Sequence, residues 1–181
     1  MKLQLVHTDD EKHYPFVEKV LTDSFPPNEY RELEKFRDCT DHNILFHNNI
    51  ILEKDCLVGF LTYWDFSDFC YAEHFAIEQS LRGKGYGAFS IYLLKSVISK
   101  PIVLEVEVPV NEESRRRIKF YQRQGFKLWN NYYVQPPYRQ EERPLPMLLM
   151  VYGNLSSERH FAYVRDTIYH HVYGLEKGTV L

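Results

Sequence analysis

Arg82-Gly83-Lys84-Gly85-Tyr86-Gly87 is the stretch of this 181-residue chain best built to hold an anion. Three alternating glycines strip side chains from a loop. An apolar run, residues 69–77, precedes it, and an apolar-periodic segment, residues 88–98, follows it. Such a loop at a helix start aims several backbone N–H groups at one point, where the helix dipole also favours negative charge. Arg82 and Lys84 add positive charge. The chemistry this suits is binding of a phosphate or pyrophosphate. The plainer alternative is an ordinary flexible turn, which three alternating glycines ahead of a helix favour less.

Three phosphate-loop patterns can be compared with it. The P-loop GxxxxGK[ST] is absent, because no Lys-Ser or Lys-Thr pair follows the glycines. A kinase Gly-rich loop sits inside a hairpin and leads to a Val-Ala-Ile-Lys strand, whereas a helix follows here. Gly83-Lys84-Gly85-Tyr86-Gly87-Ala88 does fit GxGxxG/A, with Glu105 about twenty residues on. A Rossmann nicotinamide oxidoreductase would, however, put its first glycine at the strand end. Here Glu78-Gln79-Ser80-Leu81-Arg82 intervenes, and Glu105 lies inside a strand rather than at its end.

The elements that must position this loop can be read from hydrophobic period. Residues 1–7 alternate as a first strand. Residues 10–22 form a helix with Phe16, Val17, Val20 and Leu21 inward, and residues 29–37 a second, charged helix. Residues 43–53 and 56–66 make a hairpin around the Lys54-Asp55 turn, and residues 69–78 add a third apolar strand. The loop opens a helix over residues 85–99 whose buried stripe is Phe89, Tyr92, Leu93 and Val97. A strand over 102–108, a helix over 112–124 ending at Gly125, and strands over 126–135 and 145–152 follow. Residues 156–173 form an amphipathic helix with Phe161, Val164, Ile168 and Val172 on one side. This order predicts a mixed α/β fold.

Two motifs together carry a family resemblance. Phe75-Ala76-Ile77-Glu78-Gln79-Ser80-Leu81-Arg82-Gly83-Lys84-Gly85-Tyr86-Gly87 resembles the acyl-CoA-binding motif of the GNAT family of N-acetyltransferases, a strand followed by [Q/R]-x-x-G-x-[G/A]. Phe120-Tyr121-Gln122-Arg123-Gln124-Gly125-Phe126 is similar to that family's FYxxxGF segment. The resemblance implies the acyl-CoA N-acyltransferase fold: a mostly antiparallel central sheet of about seven strands flanked by helices. It divides the chain into an acetyltransferase domain, residues 1–153, and a C-terminal helical extension, residues 154–181.

It also implies acetyl-CoA as acyl donor, with its pyrophosphate on the amides of Arg82, Gly83, Lys84, Gly85, Tyr86 and Gly87. The backbone of Phe75, Ala76 and Ile77 would pair with the pantetheine arm, and an N–H near Phe75 or Ala76 would hold the oxyanion. Tyr121 would protonate the leaving thiolate. Its alternative is a core aromatic at a helix end. The position seven residues before Tyr121, often an asparagine that touches the pantetheine, is Ser114 here, with Asn111 three residues earlier.

Attack on the thioester needs a neutral amine, and an alkylammonium has a pKa near ~10, so a base must take a proton. Glu73 and Glu105 are the candidates, Glu73 slightly favoured; a structural ion pair is the alternative for each. His74 should point away from Glu73 unless a β-bulge upsets the alternation. In the run Arg115-Arg116-Arg117, one arginine would meet the adenosine-end phosphates, unless the run is a solvated face. Tyr133 and Tyr138 are candidate acceptor-site residues, the acceptor being a small-molecule or peptide amine.

Composition narrows the classes. A net charge of −3 and a pI of about 6.2 argue against a nucleic-acid partner. No apolar run nears membrane length, and the N-terminus is too polar for a signal peptide, so a cytoplasmic protein is expected. Cys39, Cys56 and Cys70 form no zinc or disulfide pattern, and eight histidines show no metal spacing, so no metal is expected. The C-terminal helix, with its narrow aromatic stripe, would close over the body or support a homodimer. A non-catalytic acyl-CoA-binding sensor is the alternative to the enzyme.

Overall fold

The computed structural model describes residues 1–139, 141–176, 178–179 and 181. They divide into two compact units, Met1–Lys100 and Pro101–Leu181. In the first unit, β1 (Lys2–Leu5), β2 (Phe46–Glu53), β3 (Cys56–Asp65) and β4 (Cys70–Ile77) pair in sequence order, all antiparallel. Three helices flank them: α1 (Tyr14–Ser24) on β3 and β4, α2 (Leu33–His42) on β2, and α3 (Tyr86–Val97) on β1 and β4. Val17, Leu21, Phe36, Ile50, Phe60, Leu61, Trp64, Ile91 and Leu94 form the core.

In the second unit, β8 (Leu145–Tyr152) is the centre. On one side it pairs antiparallel with β5 (Ile102–Glu107), and on the other with the short strands β6 (Lys127–Leu128) and β7 (Tyr133–Gln135). Helix α4 (Glu112–Arg123) packs on β5 and β6. Helix α5 (Ser157–Tyr173) buries Val164, Ile168 and Tyr169. Of the expected stripe, Val164 and Ile168 are buried and Phe161 and Val172 half-buried. Among the described residues, eight strands, mostly antiparallel, with flanking helices give the expected mixed α/β fold with a C-terminal helix.

Three departures from the expected elements have physical causes. The helix expected over residues 29–37 begins later, at Leu33, because Pro27–Glu29 form a 3-10 turn and Tyr30 is extended. The strand expected over 126–135 is broken. Leu128 pairs with Met150 and Tyr133 with Met147, so the intervening residues bulge away, Trp129 alone donating its N–H to Leu149 O at 2.9 Å. Helix α3 faces the opposite way from its predicted stripe: Phe89, Tyr92 and Val97 are 45%, 60% and 62% exposed, while Ser90, Ile91 and Leu94 are buried. A helix apolar on several sides carries no period that selects the inner one.

Gly59 matters for the strand that leads into the loop. A Cβ there would lie 2.2 Å from Ala76 O, so only glycine lets β3 approach β4 at the Gly59–Ile77 pair.

Candidate active site

In the first unit, β4 runs into a 3-10 turn, Gln79–Leu81, and then into the glycine loop. Gly83 and Gly85 have φ of +78° and +85°, the left-handed region that glycine enters without cost. Gly85 is the N-cap of α3, and the first helical amide bond runs from Phe89 N–H to Gly85 O. The N–H groups of residues 83–88 donate to no described residue. A Cβ at Gly83 or Gly85 would meet nothing within 4 Å, so the space beside these two residues is open. Several amide donors on a helix N-terminus, with no side chains over them, suit a diphosphate.

Arg82 is anchored at the start of that loop. Its Nε donates to Ile77 O and its Nη2 to Ser24 Oγ, both at 3.0 Å, and its own N–H donates to Gln79 O. It fastens the loop to the end of β4 and to α1. Lys84 is exposed.

Glu73 sits at a β-bulge in β4. Thr62 pairs with His74 and Tyr63 with Ala72, so Glu73 is the extra residue. The bulge cancels the alternation, and Glu73 and His74 lie on the same side, Oε2 to Nδ1 3.9 Å. The Glu73 backbone is open, yet its side chain is only 1% exposed. Arg31 pairs with the carboxylate, and Trp64 Nε1 donates to it at 3.0 Å. The Arg31 guanidinium lies over the rings of Phe46 and Trp64, 5.5 and 5.3 Å from their centroids. His74 is fully enclosed: its Nε2–H donates to Glu29 O at 2.9 Å, and Phe25 packs edge-on against it. Burial pushes its pKa down, so the ring is neutral. The network ties residues 25–31 to β4, and it places Glu73 in the buried ion pair that was the alternative to its role as base.

In the second unit, Tyr121 lies in the last turn of α4. Gly125 (φ +87°) closes the helix, with Phe126 N–H donating to Tyr121 O at 3.1 Å. The ring is packed edge-on between Phe120 and Phe126, centroids 5.1 and 5.6 Å away, and its hydroxyl bonds to no described residue. Burial first of all pushes its pKa up to about 12, so it stays a proton donor. Ser114 is buried in a capping box: its N–H donates to Asn111 Oδ1 at 2.8 Å and its Oγ to Asn111 O at 3.1 Å. Of the arginine run, Arg117 pairs with Glu107 and Glu113 and Arg115 with Glu112; Arg116 is the exposed one with no ion partner among the described residues.

Glu105 is the centre of a tyrosine cluster. Tyr133 donates its hydroxyl to Oε1, and Tyr173 OH lies 3.4 and 3.2 Å from Oε1 and Oε2. Tyr138 OH is 3.4 Å from Tyr173 OH. Three residues singled out separately in the sequence, Glu105, Tyr133 and Tyr138, are thus brought together. Tyr133 is enclosed, and burial together with the Glu105 charge raises its pKa well above the ordinary value.

The model of the Acetyltransferase (GNAT) family matches residues 9–126. A solved structure assigned to GNAT acetyltransferases, from Bacteroides thetaiotaomicron, is 49% identical, covers 97% of this chain and 100% of its own, and superposes with a TM-score of 0.95. This chain belongs to the GNAT acetyltransferases. The Bacillus subtilis protein YjbC, assigned as an acetyltransferase, is 39% identical over 70 residues, 37% of this chain and about a third, 35%, of that protein's length. A Bacillus subtilis acetyltransferase solved in complex with CoA shares the fold at 13% identity, with a TM-score of 0.56 over 85% of this chain and 99% of its own.

Within this GNAT chain, sequence reasoning missed Arg31 and Trp64, which clasp Glu73, and Tyr173, which reaches Glu105. The one available signal for Tyr173 was Tyr169 four residues earlier, a second stripe beside the aliphatic one on α5. Among the described residues, no group of His, Cys, Asp and Glu side chains is placed to hold a metal, and no helix is long and apolar enough to cross a membrane.

Proposed function

We propose that this GNAT acetyltransferase moves an acetyl group from acetyl-CoA to a primary amine by direct attack in a ternary complex. The observation that carries the reading is the row of undonated amides at residues 83–88, two of its glycines in left-handed conformations, at the start of α3. Those amides bind the donor's diphosphate, and the main chain of Phe75, Ala76 and Ile77 receives its pantetheine arm. A CoA complex of a protein with the same fold supports the choice of carrier.

In the reaction the amine nitrogen attacks the thioester carbonyl and loses one proton to Glu105. A main-chain N–H of the Phe75–Ala76 segment steadies the oxyanion as it forms. The C–S bond breaks, and the thiolate takes the phenolic proton of Tyr121. Glu105 is the base in this scheme because Glu73 is held in a buried ion pair. The acceptor is a small-molecule or peptide amine.

Thiol release from acetyl-CoA across a panel of amines tests this. Amine-dependent release that falls about 100-fold or more in Tyr121→Phe is the expected result. Tight acetyl-CoA binding with no release by any amine would leave a carrier-sensing protein and end the enzymatic reading.

A further inference from the structure

We propose that Phe89 and Tyr92, on the outer face of α3, form the platform on which the adenine ring of the acyl carrier lies. The inference rests on the reading that acetyl-CoA is held at the glycine loop, and it adds a subsite for the base that the loop itself lacks. All of its residues lie in the first unit.

Helix α3 turns its two large aromatic side chains away from the core. Phe89 is 45% and Tyr92 60% exposed, whereas Ser90, Ile91 and Leu94 supply the buried face. A single exposed apolar side chain is ordinary. Two rings with centroids 5.7 Å apart, inclined by 44°, make a continuous aromatic patch.

The position of the patch ties it to the loop. Gly85, Phe89 and Tyr92 stand at i, i+4 and i+7, so they share one side of α3. At the helical rise, Phe89 lies about 6 Å and Tyr92 about 10 Å along the axis from Gly85. Helical side chains lean toward the helix N-terminus, which carries the Phe89 ring back toward the open amides. A Cβ at Gly85 would meet nothing within 4 Å, so neither ring fills the space beside that glycine.

In coenzyme A a single ribose separates the diphosphate from the adenine. With the diphosphate on the amides of residues 83–88, the base comes within reach of the first exposed ring along this side of α3. Adenine is flat, uncharged and apolar on its faces, so an aromatic ring suits it where backbone amides do not. Phe89 offers the face, and Tyr92, inclined to it, flanks the far edge of the base. Such a stack strengthens binding roughly tenfold.

The test compares two donors on the full chain by calorimetric titration: acetyl-CoA, and S-acetyl-4′-phosphopantetheine, which lacks the adenosine. In Phe89→Ala, affinity for acetyl-CoA should fall roughly tenfold while affinity for the truncated donor stays within about twofold. Phe89→Trp should bind acetyl-CoA at least as well as the parent, and Tyr92→Ala should lose about threefold, again for acetyl-CoA alone. Alanine is the strongest helix former, so α3 should persist in both alanine variants. Should Phe89→Ala fail to fold, Phe89→Leu takes its place, keeping apolar bulk without a ring. The fluorescence of 1,N6-etheno-CoA gives a second readout, since its base is quenched when stacked. At saturation it should be quenched on the parent and recover on Phe89→Ala. Equal acetyl-CoA affinity in parent and Phe89→Ala, or equal losses for both donors, overturns the inference while leaving the carrier at the loop. No acetyl-CoA binding by the parent removes the carrier reading and the platform with it. A dimer that Phe89→Ala dissociates in sedimentation, with acetyl-CoA affinity unchanged, would assign the patch to contact between copies and overturn the platform.

Discussion

Glu73 and Glu105 are one residue type in two surroundings. Glu73 is enclosed under Arg31 and Trp64, and removing one partner of such a pair leaves the other charge buried alone. Glu73→Gln should cost about 3–5 kcal/mol of stability in urea unfolding. Where the variant still folds, its turnover should stay close to the parent's; a large fall in kcat with unchanged stability would return the base to Glu73. Tyr121 differs from both. With its pKa pushed up to about 12 by burial, it keeps its proton through the working range. The pH–rate profile should therefore show no limb from this phenol below about pH 11, and a basic limb near pH 9 that vanishes in Tyr121→Phe would contradict the assignment. His74 makes a stability prediction. Its pKa is depressed by burial in the fold, so the unfolded chain binds more protons below about pH 6.5 and stability falls as pH drops through that region. His74→Gln should flatten the melting-temperature profile between pH 7 and pH 5.

At the scale of elements, what positions the chemistry is how strands approach and where they slip. Gly59→Ala would push a Cβ to within 2.2 Å of Ala76 O, a backbone atom that cannot turn aside. A loss of about 2–4 kcal/mol is expected in denaturant, together with weaker acetyl-CoA binding, because the same strand leads to the loop. Strands β3, β4 and β8 and helices α4 and α5 were legible in the sequence within a residue or two, since each has a clean period and a turn or cap at its ends. Lys54-Asp55 and Gly125 marked two of those ends. The bulge at Glu73 had no local signature; it shows only in the register of β3 against β4. For the same reason the orientation of His74 was not legible. The inner face of α3 was misread because Phe89 and Tyr92 are apolar yet exposed, while Ser90 is buried with its hydroxyl bonded to Tyr86 O at 2.8 Å.

At the scale of the whole molecule, the site divides by how local its parts are. The anion cradle is six residues long and can be read from its glycines alone, because the left-handed φ angles and the bare helix start are properties of that stretch. The tyrosine cluster is the opposite case. Glu105 and Tyr173 are 68 residues apart, and only the folded second unit sets one beside the other. Calorimetric titration of acetyl-CoA into the parent chain and into Gly85→Val asks whether the loop grips the carrier. A β-branched residue at φ +85° costs about 1–2 kcal/mol in strain and adds side-chain bulk to a loop that works through bare amides. The account predicts saturable binding by the parent and none by the variant, with both circular dichroism spectra alike. Equal affinity in two equally folded proteins would contradict it.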